Sequence, residues 1–307
     1  MKRYRTMRGM LAAGALLALG ASAASGAELA PRPGVGDLIK TSTAADWRAL
    51  DPDNTLYMEL PAGRVVIELA PAFAPRHVDN IKALVRAHYF DALAVLRVQD
   101  NFVVQWGDPD DDDKDKARPV KGAQKTLKAE FTVPAAGIAR FAPMPDHDGY
   151  APEVGHVDGF PAGRDPKSGQ AWLTHCYGMV GVGRDNDADS GGGTALYAAI
   201  GPARHLDRNM TVVGRVVAGM PLLASLPRGA APMGFYDKPG MNVPIATVKV
   251  AADLPESQRS RLEVMRTERP IYQAIVEAQR NRGGPFTKFS AGYVDVCATQ
   301  IPVREQK

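Results

Sequence analysis

The segment Leu96-Arg97-Val98-Gln99-Asp100-Asn101-Phe102-Val103-Val104-Gln105-Trp106-Gly107-Asp108-Pro109 decides how this chain is read. Two β-favouring runs, 93–98 and 101–106, meet at a polar turn, the pattern of a hairpin. On an ideal strand Phe102, Val104 and Trp106 share one face, and Val103 and Gln105 share the other. Bringing Phe102 and Gln105 together therefore needs a bulge. By periodicity alone the segment is a core Phe with an Arg and a Gln on a sheet surface.

Upstream, Leu56–Leu60 and Arg64–Leu69 read as two strands around a Pro61-Ala62-Gly63 turn. Val78, Ile81, Leu84 and Val85 then fall on one helical stripe between about Pro75 and His88. Downstream, residues 108–176 are Asp-rich and then crowded with Pro, Gly, His and Asp. Strand character returns at 179–182, 195–200, 211–217 and 245–250, with a short helix at 219–226. Residues 255–282 are charged and helix-favouring, interrupted at Pro270, and 293–297 are strand-like. Many short strands with two brief helices suggest a closed β-barrel rather than a parallel α/β sheet.

The formal charge of +3 over 307 residues is concentrated at the start. Lys2, Arg3, Arg5 and Arg8 precede an apolar run, 10–24, that ends in small residues, the form of a secretory signal cleaved near Ala23 or Ala27. Removing residues 1–27 leaves a net charge of −1, which takes away the electrostatic case for a nucleic-acid partner. The run is too short for a stable membrane span. A periplasmic location follows as the expectation. In an oxidising compartment Cys176 and Cys297 are expected to form one disulfide, with two buried free thiols as the alternative.

These segments together resemble the cyclophilin-type peptidyl-prolyl isomerases. The likeness runs through Gly63–Leu69, Asn80, Arg97–Asp108, Ala129-Glu130-Phe131, Gly178–Asp187, His205-Leu206-Asp207 and Thr211–Met220, covering about 55–250 in order. It implies a mainly β fold, a closed eight-stranded antiparallel β-barrel capped by two α-helices; to this the chain adds a central insertion longer than the family's usual connection and a C-terminal helical extension. The expected division is a signal peptide at 1–27, a lead-in at 28–52, the isomerase domain at 53–252 with its insertion at about 110–176, and the extension at 253–307.

The resemblance also implies an activity, acceleration of Xaa-Pro bond rotation in proline-containing polypeptide clients. No bond breaks, so no metal or cofactor is implied. Arg97 and Gln105 match the catalytic Arg and the substrate-orienting Gln. Phe102, Val103 and Leu206 match the proline pocket, and Tyr197 takes a position usually Phe. Gly183 and Arg184 stand where the backbone holds the substrate. Ala195, His205 and Met210 depart from the usual Gln, Trp and His. Those departures keep a second reading open, a non-catalytic Pro-peptide-binding or chaperone module on the same barrel. The Asp108–Asp115 cluster and the insertion's Asp146, His147, Asp148 and His156 lack metal-ligand spacing. Ser190–Thr194 reads as a flexible turn, and the insertion as a cover over one end of the groove or a contact for clients. The sequence leaves the oligomeric state open.

Overall fold

The computed structural model describes residues 32–306, so the expected signal peptide lies outside the described residues. Its largest sheet has nine strands. In chain order they are β1 (Thr55–Leu60), β2 (Gly63–Leu69), β3 (Ala94–Gln99), β4 (Val103–Gly107), β5 (Met179–Val182), β6 (Leu196–Ala199), β7 (Val212–Ala218), β8 (Val243–Pro244) and β9 (Thr247–Val250). They pair antiparallel in the order β8-β3-β4-β6-β5-β7-β2-β1-β9. The count differs from the expected eight because the stretch 243–250 supplies both outermost strands. Between them the Ile245 N–H donates to Leu93 O at 2.8 Å and the Ala246 N–H to Glu59 O at 2.8 Å.

Strand alternation sorts the side chains. Leu56, Met58, Val65, Ile67, Val104, Trp106, Leu196 and Ala198 fill one core inside the curled sheet. Helix α2 (Pro75–Arg86) covers this core with Val78, Ile81, Leu84 and Val85, and α3 (Met220–Ala224) adds Leu223. Pro75 opens α2, where its missing N–H costs nothing. The next two N–H groups, of Arg76 and His77, donate to the Glu130 carboxylate at 3.2 and 3.0 Å. A residue of the insertion thus caps the helix.

The opposite face of the sheet is covered in two places. Over β1 and β2, Tyr57 and Val66 pack with Leu50 and Val264. Over β5 and β7, Met179 and Val212 join a second large core that contains Phe160, Trp172, Tyr272 and Ile275. Much of this covering is the insertion, which folds as a five-stranded sheet in the order 133–134, 170–173, 160–165, 153–157, 142–143.

The lead-in and the extension also differ from expectation. The lead-in contains helix α1 (Val35–Thr41) and a strand, Trp47–Ala49, which pairs with Leu262–Met265. The latter pairs in turn with Val303–Glu305. Residues 262–265 are therefore strand rather than helix, and their Val264 and Met265 are buried. Pro270 starts helix α4 (Pro270–Arg280) instead of interrupting one, since a proline ring suits the first turn. The tail at 296–298 is a 3-10 turn rather than strand. Cys176 and Cys297 are disulfide-bonded across 121 positions and tie the extension to the end of the insertion.

Candidate active site

Beside the covered strands, the outer face of β3 and β4 stays partly open, and Arg97, Phe102 and Gln105 are half-buried there. The register there pairs Arg97 with Gln105, Gln105 with Tyr197 and Tyr197 with Gly181, one row across four strands. Val95 and Arg97 would share a face on an ideal strand. A register shift between them sends Val95 inward and Arg97 outward. Phe102 belongs to the turn before β4, with its N–H donating to Gln99 O at 3.2 Å, and so escapes the alternation that sends Val104 and Trp106 inside. The sequence expectation that these three share a face is corrected by that turn.

Arg97 is held from three directions. Its Nε donates to Met233 O at 2.6 Å and its Nη1 to Gln105 Oε1 at 3.0 Å, while Nη2 donates to Gln99 Oε1. Its Cζ stands 5.6 Å from the centroid of the Phe102 ring, and the His205 ring stacks on Phe102 at 5.6 Å between centroids. Partial burial lowers the guanidinium's pKa from its ordinary value. The group remains a cation at any physiological pH, since Arg starts far above that range.

Tyr197 forms a buried wall beside this cluster. A Cβ at Gly181 would lie 2.3 Å from the Tyr197 hydroxyl oxygen, so only glycine leaves room for the ring. The hydroxyl meets His175 Nε2 at 3.0 Å, and His175 Nδ1 meets Asp207 Oδ1 at 3.0 Å. Arg204 Nε donates to Asp207 Oδ2 at 2.6 Å, and its two terminal nitrogens donate to both oxygens of Asp148 at 2.9 Å. All five side chains are buried. Desolvation works to raise the Asp148 carboxyl, but Arg204 and the N–H groups of Tyr150 and Ala151 outweigh it and hold the pKa low. Burial pushes the Tyr197 phenol up, keeping it neutral. A groove wall is thus tied to the insertion by paired charges. Tyr197 stands where Phe is usual, and nothing in the spacing of His175, Arg204 or Asp148 announces the partners of its hydroxyl.

The other expected residues divide. The Gly183 N–H donates to Ala195 O at 2.9 Å, and Gln105 Nε2 lies 3.6 Å from where a Gly183 Cβ would stand, so Gly183 and Ala195 adjoin the row. Val103 is buried on β4 opposite Ala199. Leu206 closes the 3-10 turn that carries His205. The Arg184 side chain donates to the carbonyls of Asp185 and Asn186 in its own loop and to that of Asn209. Met210 lines a shallow recess with Phe131 and Trp172, one that Arg97, Phe102 and Gln105 do not line. Ser190–Thr194 is no loose turn. Gly191 to Thr194 are buried, and Asn80 Nδ2 donates to Gly192 O at 2.7 Å. Among the described residues no group of three or more His, Cys, Asp or Glu side chains could hold a metal ion, and no helix is long and apolar enough to cross a membrane.

Comparison with known proteins matches the chain to named relatives. A probable peptidyl-prolyl cis-trans isomerase of Brucella suis is 26% identical over 192 residues, 62% of this chain and 78% of its own. A peptidyl-prolyl cis-trans isomerase-like protein of Gibberella zeae is 23% identical over 198 residues, 64% of this chain and 95% of its own. The crystal structure of a cyclophilin from Hirschia baltica superposes with a TM-score of 0.68 at 23% identity, covering 90% of this chain and all of that one. That coverage reaches beyond the nine-stranded sheet into the insertion and the terminal segments. Residues 55–250 match the family described as cyclophilin type peptidyl-prolyl cis-trans isomerase/CLD, and the chain belongs to that family of isomerases.

Proposed function

We propose that this isomerase turns Xaa-Pro bonds in exported polypeptides of the bacterial periplasm, with Arg97, Phe102 and Gln105 as its working residues. Rotation about a peptide bond faces a barrier of about 18–20 kcal/mol because the C–N bond is partly double. A catalyst seats the proline ring on an apolar floor and sets a donor by the prolyl nitrogen. The donor favours a pyramidal nitrogen, so it stabilises the twisted state more than either planar one. One observation carries these assignments: the Arg97 guanidinium is fixed between the Phe102 ring and Gln105 Oε1 on an open face. Gln105 keeps its Nε2 beside Gly183 to meet the substrate's backbone. We read the curled sheet as a closed barrel of eight staves, β8 and β9 forming one kinked stave.

The test is a prolyl-isomerisation assay on the mature protein. Arg97→Ala is expected to lower kcat/KM about 10²–10³-fold while leaving the unfolding midpoint nearly unchanged. A wild type that binds Pro peptides without accelerating them supports the rival binding module. His205 stacked on Phe102 is the observation that favours it, since it narrows the apolar floor. Export is tested separately: N-terminal sequencing of protein from a periplasmic fraction is expected to begin at Ala24 or Glu28.

A further inference from the structure

Arg97 has a second aromatic neighbour that the proline pocket does not include. The segment 229–236 lies along β3: the Gly229 N–H donates to Val98 O at 3.0 Å, Val98 to Gly234 O at 2.8 Å and Tyr236 to Leu96 O at 2.9 Å. Gly234 has φ +76°, and a Cβ there would stand 2.6 Å from the Gln99 Cα, so only glycine lets the turn sit this close. The turn is built into the sheet, yet Met233 is 51% exposed and Phe235 46% exposed. The Phe235 ring centroid lies 5.1 Å from Arg97 Cζ, against 5.6 Å for Phe102. Phe102, the Arg97 guanidinium and Phe235 thus form one continuous surface, and Met233 is exposed on the same turn as Phe235.

We propose that Met233 and Phe235 form an apolar subsite for a second side chain of the substrate, a large aliphatic or aromatic residue two positions from the proline on the Arg97 side. The proposal rests on the isomerase reading. In extended chain, residues two apart point to the same side and stand about 7 Å from each other. That stride carries a side chain from a proline on Phe102 past the guanidinium toward Phe235. The occupant is a substrate residue rather than a separate partner, because the patch is continuous with the catalytic row. Met233 also fixes Arg97 through its backbone carbonyl, so a bound side chain presses on the element that positions the catalytic cation.

The experiment compares kcat/KM of the full mature protein on peptides carrying Ala, Glu, Leu or Phe two positions from the proline, on each side in turn. Wild type is expected to prefer Leu or Phe over Ala by about five- to tenfold on one side only. The Met233→Ala/Phe235→Ala variant is expected to bring that ratio to near one, and Phe235→Lys to shift preference to Glu. The readout is a ratio within each variant, so a general loss of folded protein cancels. Equal ratios in wild type and variants, or a wild type without preference, overturn the subsite and leave the isomerase standing. No acceleration of any peptide overturns both.

Discussion

The inside and the outside of the curled sheet are built on different physics. Inside, Met58, Ile67, Val104, Ile81 and Leu84 pack as an aliphatic mass, and alternation along β2 sends Ile67 in and Glu68 out. Outside, buried charges accumulate. Glu68 pairs with Arg48 and Arg215, and Asp148 and Asp207 share Arg204. Apolar packing is non-directional and tolerant, so it shapes the sheet without saying what lies over it. A buried ion pair is costly unless both partners arrive in register. The covering segments are thereby positioned, and the strip beside them that they leave uncovered is the groove.

The sharpest way to break this contrast is Arg204→Ala, which leaves Asp148 and Asp207 buried without their cation. A loss of about 3–5 kcal/mol is expected in denaturant unfolding. A loss below 1 kcal/mol would show that water reaches the pair and that the covering is loosely held. Next comes the double change Cys176→Ala/Cys297→Ala, expected to cost about 2–4 kcal/mol because the link spans a long loop. Hydrogen exchange should rise first across 262–305, while β1 to β4 stay protected.

The same contrast explains what could be read in advance. The strands of the main sheet and helix α2 were legible to within a few residues, because each buries one clean stripe on one core. The insertion was not. Its strands are two to six residues long, and Gly163 serves to admit Trp172, whose ring would stand 2.8 Å from a Cβ there. A glycine chosen for a distant indole looks like a loop residue in sequence. The helix-favouring look of 255–269 gave way to pairing with Trp47–Ala49, more than 200 positions earlier, a partner local propensity cannot reveal. In the site, Arg97, Phe102 and Gln105 were legible through family likeness. Their convergence depended on a bulge at Leu96 and a turn at Phe102 that periodicity does not specify. Met210 was matched by position, but its side chain joins the insertion's Phe131 and Trp172.

A smaller effect sharpens the comparison at the wall itself. Tyr197→Phe keeps the ring across Gly181 but leaves His175 Nε2 without its partner, and about 1–3 kcal/mol of stability should be lost. KM should change less than twofold; a large change would mean that the hydroxyl meets substrate. The smallest expected effect is acid sensitivity through His156. Burial chiefly, and the Arg215 charge, lower its pKa to about 3. Below an unfolded value of about 6.5 the unfolded chain takes up a proton that the folded chain refuses, so stability falls as pH falls. Between pH 7.5 and 5.5 this amounts to about 1.4 kcal/mol. His156→Gln should flatten the unfolding free energy over that interval, and an unchanged slope would assign the acid response elsewhere.

The link at Ile245-Ala246 has a consequence for an isomerase of peptidyl-prolyl bonds. An extended polypeptide can pair with an unpaired strand edge, and an edge that accepts one can seed co-aggregation. Here the two outermost strands of the main sheet run into each other, and its linking residues donate to Leu93 and Glu59. The two smaller sheets end in strands of only two or three residues. An incoming polypeptide finds little ladder to extend. Contact is thereby left to side chains, which keeps an isomerase free to turn over.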